Sequence, residues 1–218
     1  LTTSSLCIDA GTADDVPDTD MDGQTRPQGD GVDMGAYETA GRDGRDEVIV
    51  LFVDRDATGN DDGSSWPDAF VTLQDAVFVA DAAITGNTDT LNAYADLIGN
   101  TRVLSAYARF EENTAILKAE LWVANTPYLS PRDPVVEMRR KVHLYGGFTG
   151  VESTRDERDW AAHETVIDGE QARRCIIGAD DSTLDGFTIL KGYTPSTGAG
   201  MYNYDASCEI RNCRFTAN

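Results

Sequence analysis

The chain has 218 residues, with 18 Lys+Arg against 38 Asp+Glu and a formal net charge of −20. That length allows one ordinary domain or two small ones with a real core. The charge repels phosphate backbones and anionic lipid heads, which argues against nucleic-acid binding and electrostatic membrane docking. No apolar run approaches the roughly 20 residues needed to span a bilayer, so membrane insertion is not expected. The hydrophobic fraction of 40% argues against general disorder.

Residues 1–46 are acidic and loop-rich, with ten Asp and seven Gly. Apolar residues are sparse there, so this stretch is expected to fold against something else or around ions. Asp18, Asp20 and Asp22, followed by Gly23, match the first half of a calcium loop. Alternate carboxylates in such a turn face one ion, and the glycine permits the bend. The full EF-hand pattern needs a glutamate where Gly29 stands, so only a looser Ca²⁺ site is expected. Asp14, Asp15, Asp30 or Asp33 would complete it. The alternative is a series of Asx-turns solvated by water.

Residues 47–134 form the second segment. Val48–Val53 is β-branched, continuous and short, which predicts a buried strand. Ser64 and Ser65 are N-cap candidates for a helix over the following WPDAFVTLQDAVFVADAA, whose Phe70, Leu73, Val77 and Ala80 share one apolar face. Residues 84–116 are polar and helix-compatible, an insertion with no assigned chemistry. Glu120–Ala124 restores the strand pattern.

Residues 135–218 carry an imperfect repeat. Thr165–Gly169 is echoed by Ser182–Gly186, and Leu184–Ile189 by Ile210–Phe215, 26 residues on. Short strands broken by Gly or Asn at a coil-sized period predict a mainly β protein, a right-handed parallel β-helix. An N-terminal capping helix and the helical insertion complete that fold. Stacking should place Leu184 near Ile210, Ile189 near Phe215 and Phe187 near Cys213. An antiparallel sandwich competes, but tight hairpin signals are absent.

Cys175, Cys208 and Cys213 show neither CxxC nor zinc spacing. Buried thiols and a disulfide both remain open, the latter joining Cys175 to one of the other two. Asp168, Asp180, Asp181 and Asp185 with Arg173 and Arg174 are the only candidates for polysaccharide chemistry. Two or three coils do not supply an extended sugar groove, so no enzyme is expected. His143 alternates with Val142 and Leu144 and should face outward; neither it nor His163 is assigned a role. Tyr193, Tyr202 and Tyr204 share one loop-rich stretch and are the candidates for stacking on glycans, as in an adhesin, with packing within that loop the favoured alternative.

Several of these stretches resemble known proteins. Cys7–Gly11, Asp20–Pro27 and Val32–Glu38 resemble the bacterial choice-of-anchor Q segment, which usually follows a secreted right-handed β-helix. Phe52–Asp54 with Gly63–Trp66, Leu144–Gly150 and Arg158–Trp160 resemble the start of such a helix. Gly198–Met201 and Phe215–Asn218 are similar to the repeats of polymorphic outer membrane proteins. The resemblance implies an extracellular or cell-surface structural protein. In that family the Q-like segment comes last, whereas here it comes first, and the final CEIRNCRFTAN stops in mid-pattern. The expectation is therefore a unit that joins copies of itself head to tail into a fibre or stalk, with Ca²⁺ stiffening the junction.

Overall fold

A computed structural model describes residues 17–26, 32, 34, 47–110 and 116–218. Two compact units divide the chain, Leu1–Glu47 and Val48–Asn218. The described part of the first unit holds a turn closed by an antiparallel bridge between Thr19 and Thr25.

The second unit is mainly β, with parallel sheets and a helical layer. Strand β1 (Glu47–Val53) opens it, where the β-branched run predicts. Helix α1 (Leu73–Thr85) begins later than the serine pair suggests. Pro67 and Asp68 hold a turn instead: the Asp68 carboxylate accepts from the Asn60 N–H at 2.8 Å and the Ser65 hydroxyl at 3.0 Å. Phe70 is thereby kept off the helix and forms a parallel bridge with Val53. Thr72 caps the helix, its hydroxyl accepting from the Asp75 N–H at 3.2 Å. Gly86, at φ 67°, ends it in the left-handed conformation glycine favours.

The insertion folds into α2 (Asp89–Ile98), α3 (Arg102–Tyr107) and a 3₁₀ turn (Ala108–Phe110). Both α2 and α3 pack on α1, so α1 is buried on two faces rather than the single face its periodicity suggests. Phe78 and Tyr94 meet there with ring centroids 4.5 Å apart.

Eleven short strands follow: β2 (Ile116–Ala124), β3 (Pro127–Tyr128), β4 (Val136–Glu137), β5 (Val142–Phe148), β6 (Thr165–Asp168), β7 (Ile176–Ile177), β8 (Ser182–Asp185), β9 (Phe187–Leu190), β10 (Met201–Tyr202), β11 (Cys208–Arg211) and β12 (Arg214–Thr216). They build three sheets, ordered β1-β2-β5-β8-β11, β3-β6-β9-β12 and β4-β7-β10. From β2 onward every pairing is parallel, and the chain visits the sheets in strict rotation.

Each sheet contributes an inward ladder. Leu121, Leu144, Leu184 and Ile210 pair in succession in the first sheet. Tyr128, Ile167, Ile189 and Phe215 do so in the second, and Val136, Ile176 and Met201 in the third. All but the last member of each ladder are buried to 2% exposure or less. Ile210 and Phe215 are each 43% exposed. The stackings of Leu184 with Ile210 and of Ile189 with Phe215 are those the repeat predicts. The shorter echo is not a stacking: Thr165 pairs with Phe187, so β6 and β8 lie in different sheets. One sheet also joins β2 to β5, so residues 47–134 and 135–218 share a single core.

At the end opposite β11 and β12, α1 packs against β2 and β4 and covers the core. No helix among the described residues is long and apolar enough to cross a membrane.

Candidate functional site: a groove over Trp160

Alternate residues of the first sheet face outward. Registers place Glu120, His143, Thr183 and Glu209 in one outer row and Trp122, Tyr145, Asp185 and Arg211 in the next. The excursion 149–164, between β5 and β6, crosses this face and carries Arg155, Arg158 and Trp160.

The excursion is anchored along its length. The Glu152 carboxylate accepts four hydrogen bonds, from the Thr149 N–H and hydroxyl at 2.8 Å each and from the Gly150 and Val151 N–H groups at 3.1 Å each. Burial alone would raise its pKa, but these donors together hold it below the ordinary value. The Trp66 indole N–H donates to the Glu152 carbonyl at 2.9 Å, tying the loop to an aromatic cluster of Phe52, Trp66, Trp122 and Phe148. Thr154 and Glu157 form a capping box. Arg155 donates to Glu120 at 2.6 Å, and Arg158 to Asp185 at 2.7 Å and to the Gly146 carbonyl at 2.9 Å. Both guanidiniums lie over the Tyr145 ring, at 4.8 and 5.3 Å. Burial, then the Glu120 carboxylate, raise the Tyr145 pKa.

Glycines make room for this crossing. A Cβ on Gly147, which has φ 93°, would lie 2.4 Å from the Trp160 Cα, and one on Gly186 would lie 2.8 Å from the Trp160 Cβ. The motifs YGGF, RDW and LDGF, separate in sequence, therefore meet at one place. Trp160 remains 43% exposed on this fixed loop.

Trp160 separates two open hollows. One of about 340 Å³ is lined by Tyr145, Arg155, Arg158, Asp185 and Arg211 among others. The other, of about 500 Å³, is lined by Glu164, Phe187, Thr188, Asn212 and Arg214 among others. Asp185 is committed to Arg158 and to the Asn212 amide at 2.8 Å. Glu164 accepts from the Thr188 hydroxyl at 2.7 Å and from Arg214 at 2.6 Å. An exposed indole between one polar and one mixed hollow matches a sugar ring, whose C–H face is apolar and whose rim is hydroxylated.

The residues singled out from sequence lie elsewhere, apart from Asp185. Asp18, Asp20 and Asp22 share the turn of the first unit, where the Asp20 carboxylate accepts from the Asp22 and Gln24 N–H groups at 2.9 and 2.7 Å. That is an Asx-turn arrangement. Among the described residues no three His, Cys, Asp or Glu side chains converge as a metal site. Asp14 and Asp33, like Cys7, Asp15 and Asp30, lie outside the described residues.

Tyr202 and Tyr204 do come together, stacked at 6.2 Å and 19°. Arg174 covers Tyr202 at 4.7 Å and donates to the Gly198 and Thr197 carbonyls at 3.0 and 3.1 Å, fixing that loop. Tyr193 is exposed but shares no ring contact with them among the described residues.

Cys175, Cys208 and Cys213 are free thiols, in place of the disulfide that sequence left open. Cys175 donates to the Leu190 carbonyl at 3.4 Å, Cys213 to the Leu184 carbonyl at 3.5 Å, and Cys208 lies 3.9 Å from the Met138 sulfur. Burial raises all three thiol pKa values, that of Cys175 to about 11, which disfavours the thiolate. Asp168 pairs with Lys191 at 2.9 Å, Asp180 accepts from the Ser207 N–H at 2.7 Å, and Asp181 lies 3.8 Å from Arg140.

A further cleft of about 490 Å³ lies between α2 and residues 130–137. Its polar lining is spent internally: the Gln74 amide exchanges hydrogen bonds with the Glu137 backbone at 2.7 and 3.2 Å, and Arg132 covers Tyr94. The Tyr94 hydroxyl in turn donates to Asp75 at 2.5 Å.

Sequence reading passed over Trp160, Arg155, Arg158, Tyr145 and Arg211 as functional residues. The available signal was an Arg-x-x-Arg-x-Trp run in a loop longer than its neighbours, opposite a Tyr-Gly-Gly. Comparison with known proteins gives no match: no family model, no curated relative and no solved structure aligns with the chain.

Proposed function

We propose that this chain is a right-handed parallel β-helix module of an extracellular surface protein, and that it binds saccharide without modifying it in the groove over Trp160. The strict rotation of the chain through three parallel sheets supports the solenoid, and crossovers between parallel strands are right-handed almost without exception. The observation that carries the binding function is the exposed Trp160, held by a loop anchored along its length, between one polar and one mixed hollow. The nearest buried carboxylates are neutralised by arginines, which supports binding rather than general acid–base chemistry.

Isothermal titration with a set of neutral and acidic hexasaccharides tests this reading. Binding of at least one of them, its loss in Trp160→Ala and recovery of uncleaved ligand are expected. A wild-type protein that binds none of the set would overturn the reading.

Joining of copies at the β11/β12 edge is the second reading, favoured by the exposure of Ile210 and Phe215 in register with buried neighbours. Coverage of the opposite end by α1 makes the two ends unlike strand edges, so the saccharide reading stands first. Light scattering decides the second: a concentration-independent monomer with added Ca²⁺ would sink head-to-tail assembly.

A further inference from the structure

We infer that the groove over Trp160 selects acidic saccharides, specifically uronates, through Arg211 and Arg214; this rests on the saccharide-binding reading above. The chain has only 18 basic residues and a net charge of −20. Four arginines nevertheless gather at this groove: Arg155, Arg158 and Arg211 on one side of Trp160 and Arg214 on the other. They differ in what they have left to give. Arg158 is spent, its side chain 12% exposed and bonded to Asp185 and two backbone carbonyls.

Arg211 and Arg214 are at the opposite extreme. Their side chains are 59% and 67% exposed, and among the described residues each makes one side-chain hydrogen bond, to Glu209 and Glu164, both at 2.6 Å. A guanidinium has five donors, so a single contact to a carboxylate leaves most of the fork open. Surface pairs of this kind are worth little and exchange readily. The planar fork matches a carboxylate in two-point fashion. Both arginines sit on consecutive strands, β11 and β12, either side of the Asn212 bend, and Trp160 lines the hollow beside each. A uronic acid stacked on Trp160 would carry its carboxylate into reach of one, and the next residue of the chain would reach the other.

Paired ligands isolate the carboxylate: the hexamer of β-1,4-linked mannuronate and its neutral counterpart mannohexaose, titrated in chelator-containing buffer. The mannuronate should bind about tenfold tighter or more, as expected for a charge-assisted pair, and the advantage should shrink as salt rises. Arg211→Gln and Arg214→Gln, combined, should erase it and each alone should weaken it, while Arg102→Gln on α3, a single charge removed outside the groove, should preserve it. Trp160→Ala should abolish binding of both sugars. Equal affinity for the two hexamers would overturn the uronate preference and leave saccharide binding standing. A preference that survives in the double arginine variant would overturn the assignment to these residues. Failure of both hexamers to bind would overturn the site reading itself. Unchanged melting temperatures confirm that the exposed-residue variants fold.

Discussion

At the residue scale, the outer face of the first sheet holds buried charges, Glu120 and Asp185, whose partners come from the excursion 149–164 and the Asn212 bend. Asp185 and Arg158 are nearly shielded from water and satisfy each other, the Asn212 amide and the Gly146 carbonyl. Such a pair adds little net stability against an apolar equivalent, but it fixes where the loop sits. His143 is the histidine of the neighbouring row, its Nδ1 3.0 Å from the Thr183 hydroxyl. Burial first, then the Lys118 charge, depress its pKa from the ordinary 6.5, outweighing the opposite pull of Glu120 and Asp181. A depressed folded value means stability that is complete above pH 6.5 and is lost as pH falls through the folded pKa. Thermal melts of wild type and His143→Gln should therefore diverge on acidification, with the wild type losing more. Parallel loss in both would show that His143 carries none of the pH dependence.

At the element scale, the excursion 149–164 is seated by glycine as much as by hydrogen bonds. Gly147→Ala would place a Cβ 2.4 Å from the Trp160 Cα at a φ of 93°. The expected cost is about 2 kcal/mol or more, with Trp160 becoming more accessible to acrylamide quenching. Unchanged stability and quenching would show that the loop seats itself without the close approach. Chain pattern alone revealed β1 and the existence of α1, because a β-branched run and a run with apolar i, i+3, i+4 spacing each suit one geometry. It misplaced the start of α1, since Ser64 and Ser65 have the right side chains for a cap but the Asp68 carboxylate draws that segment into a turn. The cap fell to Thr72, a residue equally suited by chemistry and distinguished only by where the turn releases the chain.

At the scale of the whole molecule, stability should grade along the stack. Leu184 lies between Leu144 and Ile210 with no exposure, whereas Ile210 has a buried neighbour on one side only. Leu184→Ala should cost about 2–5 kcal/mol, and Ile210→Ala under about 1 kcal/mol, because much of its apolar surface already meets water. Equal costs in urea unfolding would show that β11 is as well covered as β8. The sequence by itself determined a mainly β chain, a strand and a helix ahead of the repeat, and the stacking of Leu184–Ile189 on Ile210–Phe215, since those follow from local periodicity and from like residues at a coil-sized spacing. The shorter echo of Thr165–Gly169 at Ser182–Gly186 carries no stacking, because strands of similar composition recur in different sheets of one circuit. Only the tertiary structure decided that Arg155, Arg158 and Trp160 meet Tyr145, Asp185 and Arg211, and that Cys175, Cys208 and Cys213 stand as free thiols. Those meetings depend on which strands pair and on how closely glycine lets a loop cross them, and neither is written in the local pattern of any one segment.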